Sequence, residues 1–86
     1  MSIDEIKVAK RNRVIGCKQV NKAIQRGIVQ KVFLARDASP NLTQPLLEAC
    51  QAERIPVEWV EDMATLGKAC RIDVGTAAAA ILSEQV

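Results

Sequence analysis

Val32-Phe33-Leu34-Ala35 is a short continuous apolar run in a chain of 86 residues. A run of this length without polar alternation is typical of a central strand that is covered on both faces. The stretch that follows it, Asp37-Ala38-Ser39-Pro40-Asn41, has the composition of a loop. Because a strand buried on both faces needs a layer on either side of its sheet, the run favours an α/β fold.

The segments before this run predict alternating helices and strands. A capping box, Ser2-Ile3-Asp4-Glu5, begins a short helix that we expect over residues 3–11. A brief strand, Val14-Ile15, is followed by a second helix from about Lys18 to Arg26. Gly27 is expected to end this helix in the left-handed conformation, which glycine adopts readily.

The segments after the run continue the alternation. A third helix is expected from about Thr43, with Pro45 in its first turn, and it should end before Ile55-Pro56. Val57 to Val60 is predicted as a strand. In that strand Trp59 is interpreted as half-buried packing rather than as a base-stacking platform.

A fourth helix begins after Asp62, whose carboxylate can accept hydrogen bonds from the amides of the first turn. Gly67 inside this helix costs roughly 1 kcal/mol relative to alanine, so we expect close packing against it. Thr76 to Leu82 is ambiguous, because its alanines favour a helix whereas its place after three strand–helix alternations favours a strand. We assign it as the last strand. The chain is therefore predicted to be one α/β domain, a three-layer α/β/α sandwich around a small four-stranded sheet.

Charge is divided unevenly along the chain. The net charge is +2, yet residues 6–36 hold nine basic side chains and no acidic one. Residues 37–86 hold three basic and eight acidic side chains. So basic a segment indicates a protein that binds a polyanion, and a merely solvated surface is the alternative interpretation.

Several classes of function lack the residues that they need. The chain has no histidine, and Cys17, Cys50 and Cys70 form no CxxC pair, so we expect reduced, packed thiols, no metal and no cofactor. Without a GxxxxGK(S/T) loop or a GxGxxG motif, we expect no catalytic residue and no enzymatic activity. No apolar run reaches the roughly 18–20 residues that span a bilayer, and no signal-peptide pattern opens the chain, so we expect a cytoplasmic location without membrane contact. We also expect a monomer.

The strongest candidate site is Gly16-Cys17-Lys18-Gln19-Val20-Asn21-Lys22, which opens the second helix. Gly16 has no Cβ and lets a partner's backbone come close. The unpaired amides at a helix start favour anions such as phosphate. Lys18 and Lys22 lie four residues apart on one face, with Gln19 beside them. The stretch is therefore suited to holding nucleic acid.

Two later positions could add to such a site. Arg71-Ile72-Asp73-Val74-Gly75 is predicted as a loop whose two apolar side chains have no evident structural reason to be exposed. Asp37 lies at a strand end, where a catalytic residue could also lie. A loop cap or an indirect RNA contact is the interpretation that we favour for this carboxylate.

The chain matches a known family over nearly its whole length, and three stretches carry the match in order and spacing. They are Gly16-Cys17-Lys18-Gln19-x-x-Lys22-Ala23-Ile24 with Arg26-Gly27, then Ala35-Arg36-Asp37-Ala38-Ser39-Pro40, then Leu66-Gly67-Lys68-Ala69-Cys70-Arg71-Ile72-Asp73-Val74-Gly75-Thr76-Ala77-Ala78-Ala79-Ala80-Ile81. With them the chain resembles the kink-turn RNA-binding ribosomal proteins of the L7Ae/L30e superfamily. Within that superfamily it is most similar to the small bacterial branch, the YbxF type.

The resemblance implies an α/β/α sandwich with a mixed four-stranded sheet. It implies structured RNA as the partner: a kink-turn, which is a sharp bend beside tandem sheared G·A pairs, in ribosomal or riboswitch-like RNA or on the ribosome. The helix start at Gly16 would enter the widened groove of the bend, and the loop at Ile72–Val74 would cover unstacked nucleotides. The RNA-binding residues expected on this basis are Gly16, Cys17, Lys18, Gln19, Lys22, Arg26, Arg36, Asp37, Arg71, Ile72, Asp73 and Val74.

The chain departs from archaeal and eukaryotic members of this superfamily at Lys18-Gln19, where those usually show Asn-Glu. Lys18 adds a positive donor, whereas Gln19 lacks a carboxylate that would repel phosphate and still accepts from a guanine amino group. The leading hypothesis is a non-catalytic protein that recognises and stabilises kinked RNA. Phosphate contacts are expected from Lys18, Lys22, Arg26, Lys10, Arg13 and Arg36. The alternatives are a protein-interaction or structural module whose basic helix binds an acidic partner, and a small α/β enzyme, which the missing motifs disfavour.

Overall fold

The computed structural model describes residues 12–83, which form three helices and four strands. In chain order they are β1 (Arg13–Ile15), α1 (Cys17–Gln25), β2 (Val29–Ala35), α2 (Pro40–Glu53), β3 (Val57–Val60), α3 (Met63–Ala69) and β4 (Ala78–Leu82). The helix predicted over residues 3–11 lies outside this range. Among residues 12–83, no helix has both the length and the apolar character needed to cross a membrane.

The four strands form one mixed sheet in the order β1-β4-β2-β3. β4 is antiparallel to both of its neighbours, and β2 and β3 are parallel. The mixed four-stranded sheet is therefore confirmed, and so is the assignment of the last segment as a strand, which begins at Ala78. Pairing on both sides outweighs the helix propensity of the alanines, because tertiary contacts routinely override such a preference.

The sheet is covered on both faces because β2 alternates between two cores. Phe33 and Ala35 pack with Leu66 of α3 on one face. Val32 and Leu34 pack on the other face with the buried side chains of α1 and α2, namely Val20, Ile24, Leu46 and Cys50. The continuous apolar run thus gives the three-layer sandwich that it predicted.

β4 and the residue before it, Ala77, fill the centre of both cores with methyl groups. Ala77 and Ala79 belong to the core under α3, whereas Ala78 and Ala80 belong to the core under α1 and α2. Small side chains on both faces of a central strand let the helices of either layer approach the sheet closely.

α2 begins earlier than the sequence indicated. The hydroxyl of Ser39 accepts a hydrogen bond from the amide of Asn41 at 3.3 Å, and Pro40 occupies the first helical position. The expected start near Thr43 is therefore wrong, and Pro45 lies inside the helix rather than in its first turn. The composition of residues 37–41 suggested a loop, yet serine followed by proline is also a strong signal for a helix start.

All three helices end in the same left-handed turn. Gly27 takes φ +71° after α1, as predicted, while Arg54 takes φ +58° after α2 and Arg71 takes φ +64° after α3. In each case the next residue donates back into the helix, as when the amide of Ile72 bonds the carbonyl of Gly67 at 3.1 Å. A side chain in this conformation costs roughly 1 kcal/mol relative to glycine, so the two arginines are placed at some expense of stability.

Gly67 provides the close packing that was expected of it. A Cβ at this position would collide with the backbone carbonyl of Val74. A Cβ at Gly75 would lie 3.1 Å from the side chain and backbone of Met63, at the start of the same helix. The loop between α3 and β4 is therefore pressed against α3 along the helix's length.

Gly67→Ala should lower the free energy of unfolding by about 1–3 kcal/mol, because the added methyl group has to displace loop backbone. Chemical denaturation in urea measures the change. Lys68→Ala is the matched control, since Lys68 is exposed on the same helix and its loss should change stability by less than about 0.5 kcal/mol. A Gly67→Ala protein as stable as the control would contradict this packing.

Candidate nucleic-acid interface

The segments that carry the candidate site converge on one edge of the sheet, here called the interface edge. β1, β2 and β3 end there, and β4 begins there. The amide of Gly16 donates to the carbonyl of Ala78 at 2.9 Å, and the amide of Ala35 donates to Ala77 at 2.9 Å. The amide of Arg36 donates to the carbonyl at the end of β3 at 2.8 Å.

Each helix follows one of these strand ends, so all three helices begin at the interface edge. Two of the three starts are capped by side chains. Ser39 caps α2, and α3 is capped twice, because Asp62 accepts from the amide of Thr65 at 2.7 Å and Asp37 accepts from the amide of Met63 at 2.9 Å. The hydrogen bonds that Thr65 donates, through its hydroxyl and then its amide, lower the pKa of Asp62 and keep its carboxylate ionised.

The start of α1 differs from the other two. Gly16 precedes it with φ +99°, and among the described residues no side chain caps its first amides. Its first turn, Cys17-Lys18-Gln19-Val20, contains no acidic residue. The amides at this end carry partial positive charge, so the start of α1 is open to an anion.

The exposed side of α1 carries the polar residues that the sequence placed there. Val20 and Ile24 are buried, whereas Lys18, Gln19 and Lys22 are exposed. The two lysines are four residues apart and therefore project from one side of the helix. They lie within the first six residues of α1, close to its uncapped amides.

The cysteines are packed thiols rather than reactive ones. All three are free, and Cys50 and Cys70 are buried. Cys17 is half-buried and touches both cores. Burial raises the pKa of each thiol above its usual value, and Arg13 offsets part of the rise at Cys70. Within residues 12–83 no three histidine, cysteine or acidic side chains are grouped as a metal site requires.

The loop before β4 exposes one of its two apolar side chains. Val74 is 71% exposed, although the backbone of its loop lies against α3 at Gly67 and Gly75. Ile72 is half-buried and packs on the core under α3, so its expected exposure is wrong. Its burial depends on the fold of α3 and could not be recognised from the loop sequence. Arg71 and Asp73 are exposed.

Arg13 connects the segment that leads into α1 with the loop before β4. Its guanidinium donates to the carbonyl of Cys70 at 2.7 Å, across 57 positions of sequence, in a partly buried setting. Arg13 begins β1, which ends just before Gly16, and Cys70 precedes the loop that carries Val74. The bond therefore links the strand before α1 to the turn after α3, a role beyond the phosphate contact expected for Arg13.

Of the remaining predicted RNA-binding residues, two lie at the interface edge and one lies away from it. Arg36 and Asp37 lie at the interface edge, but the carboxylate of Asp37 is engaged as a cap of α3. Arg26 lies at the other end of the nine-residue α1, roughly 13 Å from its start. Arg26 is thus separated from the group around Lys18.

The structure adds a residue that the sequence did not indicate. Leu42 is 48% exposed and borders a concavity of about 220 Å³ with Cys17, Lys18 and Asn21. The sequence did not place Leu42 on a helix, because the composition of residues 37–41 indicates a loop up to that point. The Ser39-Pro40 helix start was the available signal.

The fold and the interface edge correspond to a known family. Residues 3–85 match the ribosomal protein L7Ae/L30e/S12e/Gadd45 family, and the chain belongs to that family.

Relatives of the YbxF type confirm the branch that the sequence indicated. The chain is 42% identical over 69 residues to the RNA-binding protein YbxF of Geobacillus stearothermophilus, which covers 80% of this chain and 84% of the relative. It is 40% identical over 82 residues to an RNA-binding protein of Bacillus pumilus, which covers 95% and 99% of the two chains. The 15.5kD RNA binding protein of Giardia lamblia has a similar structure, with TM-score 0.89 and 26% identity over 96% of this chain and 72% of its own.

Arg13→Met should loosen the loop before β4, because the carbonyl of Cys70 loses a charged donor. Amide hydrogen exchange at Ile72 and Thr76 should accelerate about tenfold, since such a bond contributes about 1.5 kcal/mol or more. Exchange at Ile55, which bonds across the turn after α2, should change little and serves as the internal control. Equal rates at Ile72 and Thr76 in both proteins would contradict the connecting role of Arg13.

Proposed function

We propose that this protein is a non-catalytic RNA-binding protein that recognises and stabilises kink-turn RNA. The observation that carries the proposal is the start of α1. It is the helix start without a side-chain cap among the three described, and Lys18 and Lys22 follow it directly. The relatives in the same family that are named RNA-binding proteins support the choice of RNA as the polyanion.

The start of α1 is suited to a backbone that bends sharply. Gly16 presents no side chain in front of the first amides, and a Cβ there would meet open space. A phosphate can therefore approach the amides directly, with Lys18 supplying a second donor. A sharply bent RNA offers closely spaced phosphates and exposed base edges in a widened groove, which a regular A-form helix does not.

Base edges would be met by Gln19 and Lys18. The amide of Gln19 has both a donor and acceptor, so it can accept from a guanine amino group. Val74 stands out from the loop before β4 and would cover an unstacked nucleotide with an apolar surface. Selection of the bend would then come from Gln19 and Val74, whereas most of the affinity would come from phosphate contacts.

The mechanism is a shift of population. An RNA that already samples the bent state is driven toward it by a protein that binds that state better than the extended one. The protein's contribution is a rigid, preformed set of donors: the α1 start is fixed by the Gly16–Ala78 bond, and the loop of Val74 is fixed by α3. No chemical step is required.

A gel-shift comparison of a kink-turn RNA with a straight duplex of equal length tests this proposal. The kink-turn should bind at least tenfold more tightly, because it exposes base edges that the duplex hides. The two RNAs carry the same charge, which controls for non-specific attraction. Equal binding to both would leave only a basic protein and contradict the proposal.

Lys22→Ala should weaken binding and reduce the slope of log K against log salt by about one unit, because one phosphate contact is lost. Titrations at several salt concentrations measure the slope. The matched control is Arg54→Gln, which removes one positive charge at the far end of α2, roughly 20 Å from the interface edge. Equal changes in slope for the two variants would show that Lys22 makes no direct contact.

A further inference from the structure

Trp59 is an exposed aromatic side chain beside the interface edge. It lies on β3, one of the two edge strands of the described sheet, and 37% of its surface is exposed. The interpretation of Trp59 as half-buried packing is therefore incomplete. The residue before it, Glu58, is the less exposed of the two, because its carboxylate bonds the amino group of Lys31 at 2.8 Å.

Arg36 extends over this tryptophan from the interface edge. The centre of its guanidinium lies 5.9 Å from the centre of the Trp59 ring. Its backbone amide is bonded to the carbonyl of Val60, which fixes Arg36 at the ends of β2 and β3. The two side chains border an open concavity of about 530 Å³, which Pro56 and Val57 also line. An aromatic face with an arginine beside it is the usual combination for holding an unpaired base.

The charges around Trp59 are compatible with RNA. Glu58 is neutralised by Lys31, and Asp37 and Asp62 are turned to the amides of α3. Glu61 is the exposed carboxylate that follows the strand.

We propose that Trp59 and Arg36 form a second RNA contact that stacks an unpaired nucleotide of the RNA held at the start of α1. This inference rests on the proposed function. Trp59 would supply the stacking face, and Arg36 would contact the phosphate of the same nucleotide or stack on its base. In the sheet, β3 is separated from β4 by β2, which places this contact roughly 10 Å from the strand that pairs with Gly16. The nucleotide therefore belongs to a single strand that leaves the bend and runs along the interface edge.

The chain carries its own probe for this contact, because Trp59 is its single tryptophan and it has no tyrosine. Three RNAs are compared: a blunt kink-turn, the same kink-turn with unpaired nucleotides added at either end or in the bulge, and the unpaired strand alone. Stacking of a base on the indole should quench its fluorescence. Quenching is expected with the extended kink-turn, and the extended RNA should bind about fivefold or more tightly than the blunt one.

Three variants separate stacking from charge. Trp59→Leu should reduce the affinity for the extended kink-turn to that for the blunt one, while Trp59→Phe should retain most of the gain because it keeps an aromatic face. Glu61→Gln should strengthen binding of the extended RNA, since it removes a nearby repulsive charge. Lys68→Gln, which removes one positive charge from an exposed position of α3 outside the concavity, is the control and should leave the gain unchanged.

The outcomes distinguish this inference from the proposed function. If the blunt kink-turn binds, yet no extension increases affinity or quenches Trp59, the inference is overturned and the proposed function remains. If the blunt and extended RNAs both bind no better than the duplex, the proposed function fails. Equal loss of affinity for Trp59→Leu and Trp59→Phe, in variants with normal circular dichroism, would also overturn the stacking role. The alternative is that a strand of a partner protein pairs with β3, whose outer side is unpaired in the described sheet. In that case none of the RNAs would change the fluorescence of Trp59, and the inference would be overturned.

Discussion

Two backbone hydrogen bonds at the start of β4 hold the candidate interface together. The carbonyls of Ala77 and Ala78 accept from Ala35 and Gly16, so the ends of β2 and β1 are fixed to the same point. Segments that are far apart in sequence, at residues 16–18, 36–37 and 76–78, thereby share one edge. A slip of one residue in this pairing would turn every side chain of β4 to the opposite face and separate them.

The positive ends of three helix dipoles lie at the interface edge. Their free amides differ in whether a side chain caps them. The hydroxyl of Ser39 accepts a hydrogen bond from an amide at the start of α2. The carboxylates of Asp37 and Asp62 accept hydrogen bonds from amides at the start of α3. At the start of α1 no side chain among the described residues caps the backbone amides, and the first two turns carry Lys18 and Lys22 and no acidic residue. This division explains how a chain with a net charge of only +2 presents a localised positive surface. Asp37 and Asp62, which lie at the same edge, are both turned to backbone amides of α3.

Local signals predicted most of the fold and the location of the candidate site. The run at Val32–Ala35, the left-handed Gly27 and the cap at Asp62 are each decided by a few neighbouring residues. Features that depend on distant contacts were missed or mistaken. Ile72 is half-buried because of α3, and the partner of Arg13 lies 57 positions away. The exposure of Lys18 followed from helix spacing, whereas its contact with RNA stays a prediction, because spacing says nothing about the partner.

Ala77 and the alanines of β4 are the small side chains at the centre of both layers, beside the larger Phe33 and Leu34 of the neighbouring strand. The alanines on the two faces of the sheet act independently of each other. Enlarging Ala78 or Ala80 would push against α1 and α2, whereas enlarging Ala77 or Ala79 would push against α3 and the loop of Val74. One five-residue strand therefore acts as a two-sided spacer. The start of α1 and the loop of Val74 could therefore be repositioned separately by changes of one or two methylenes in the core.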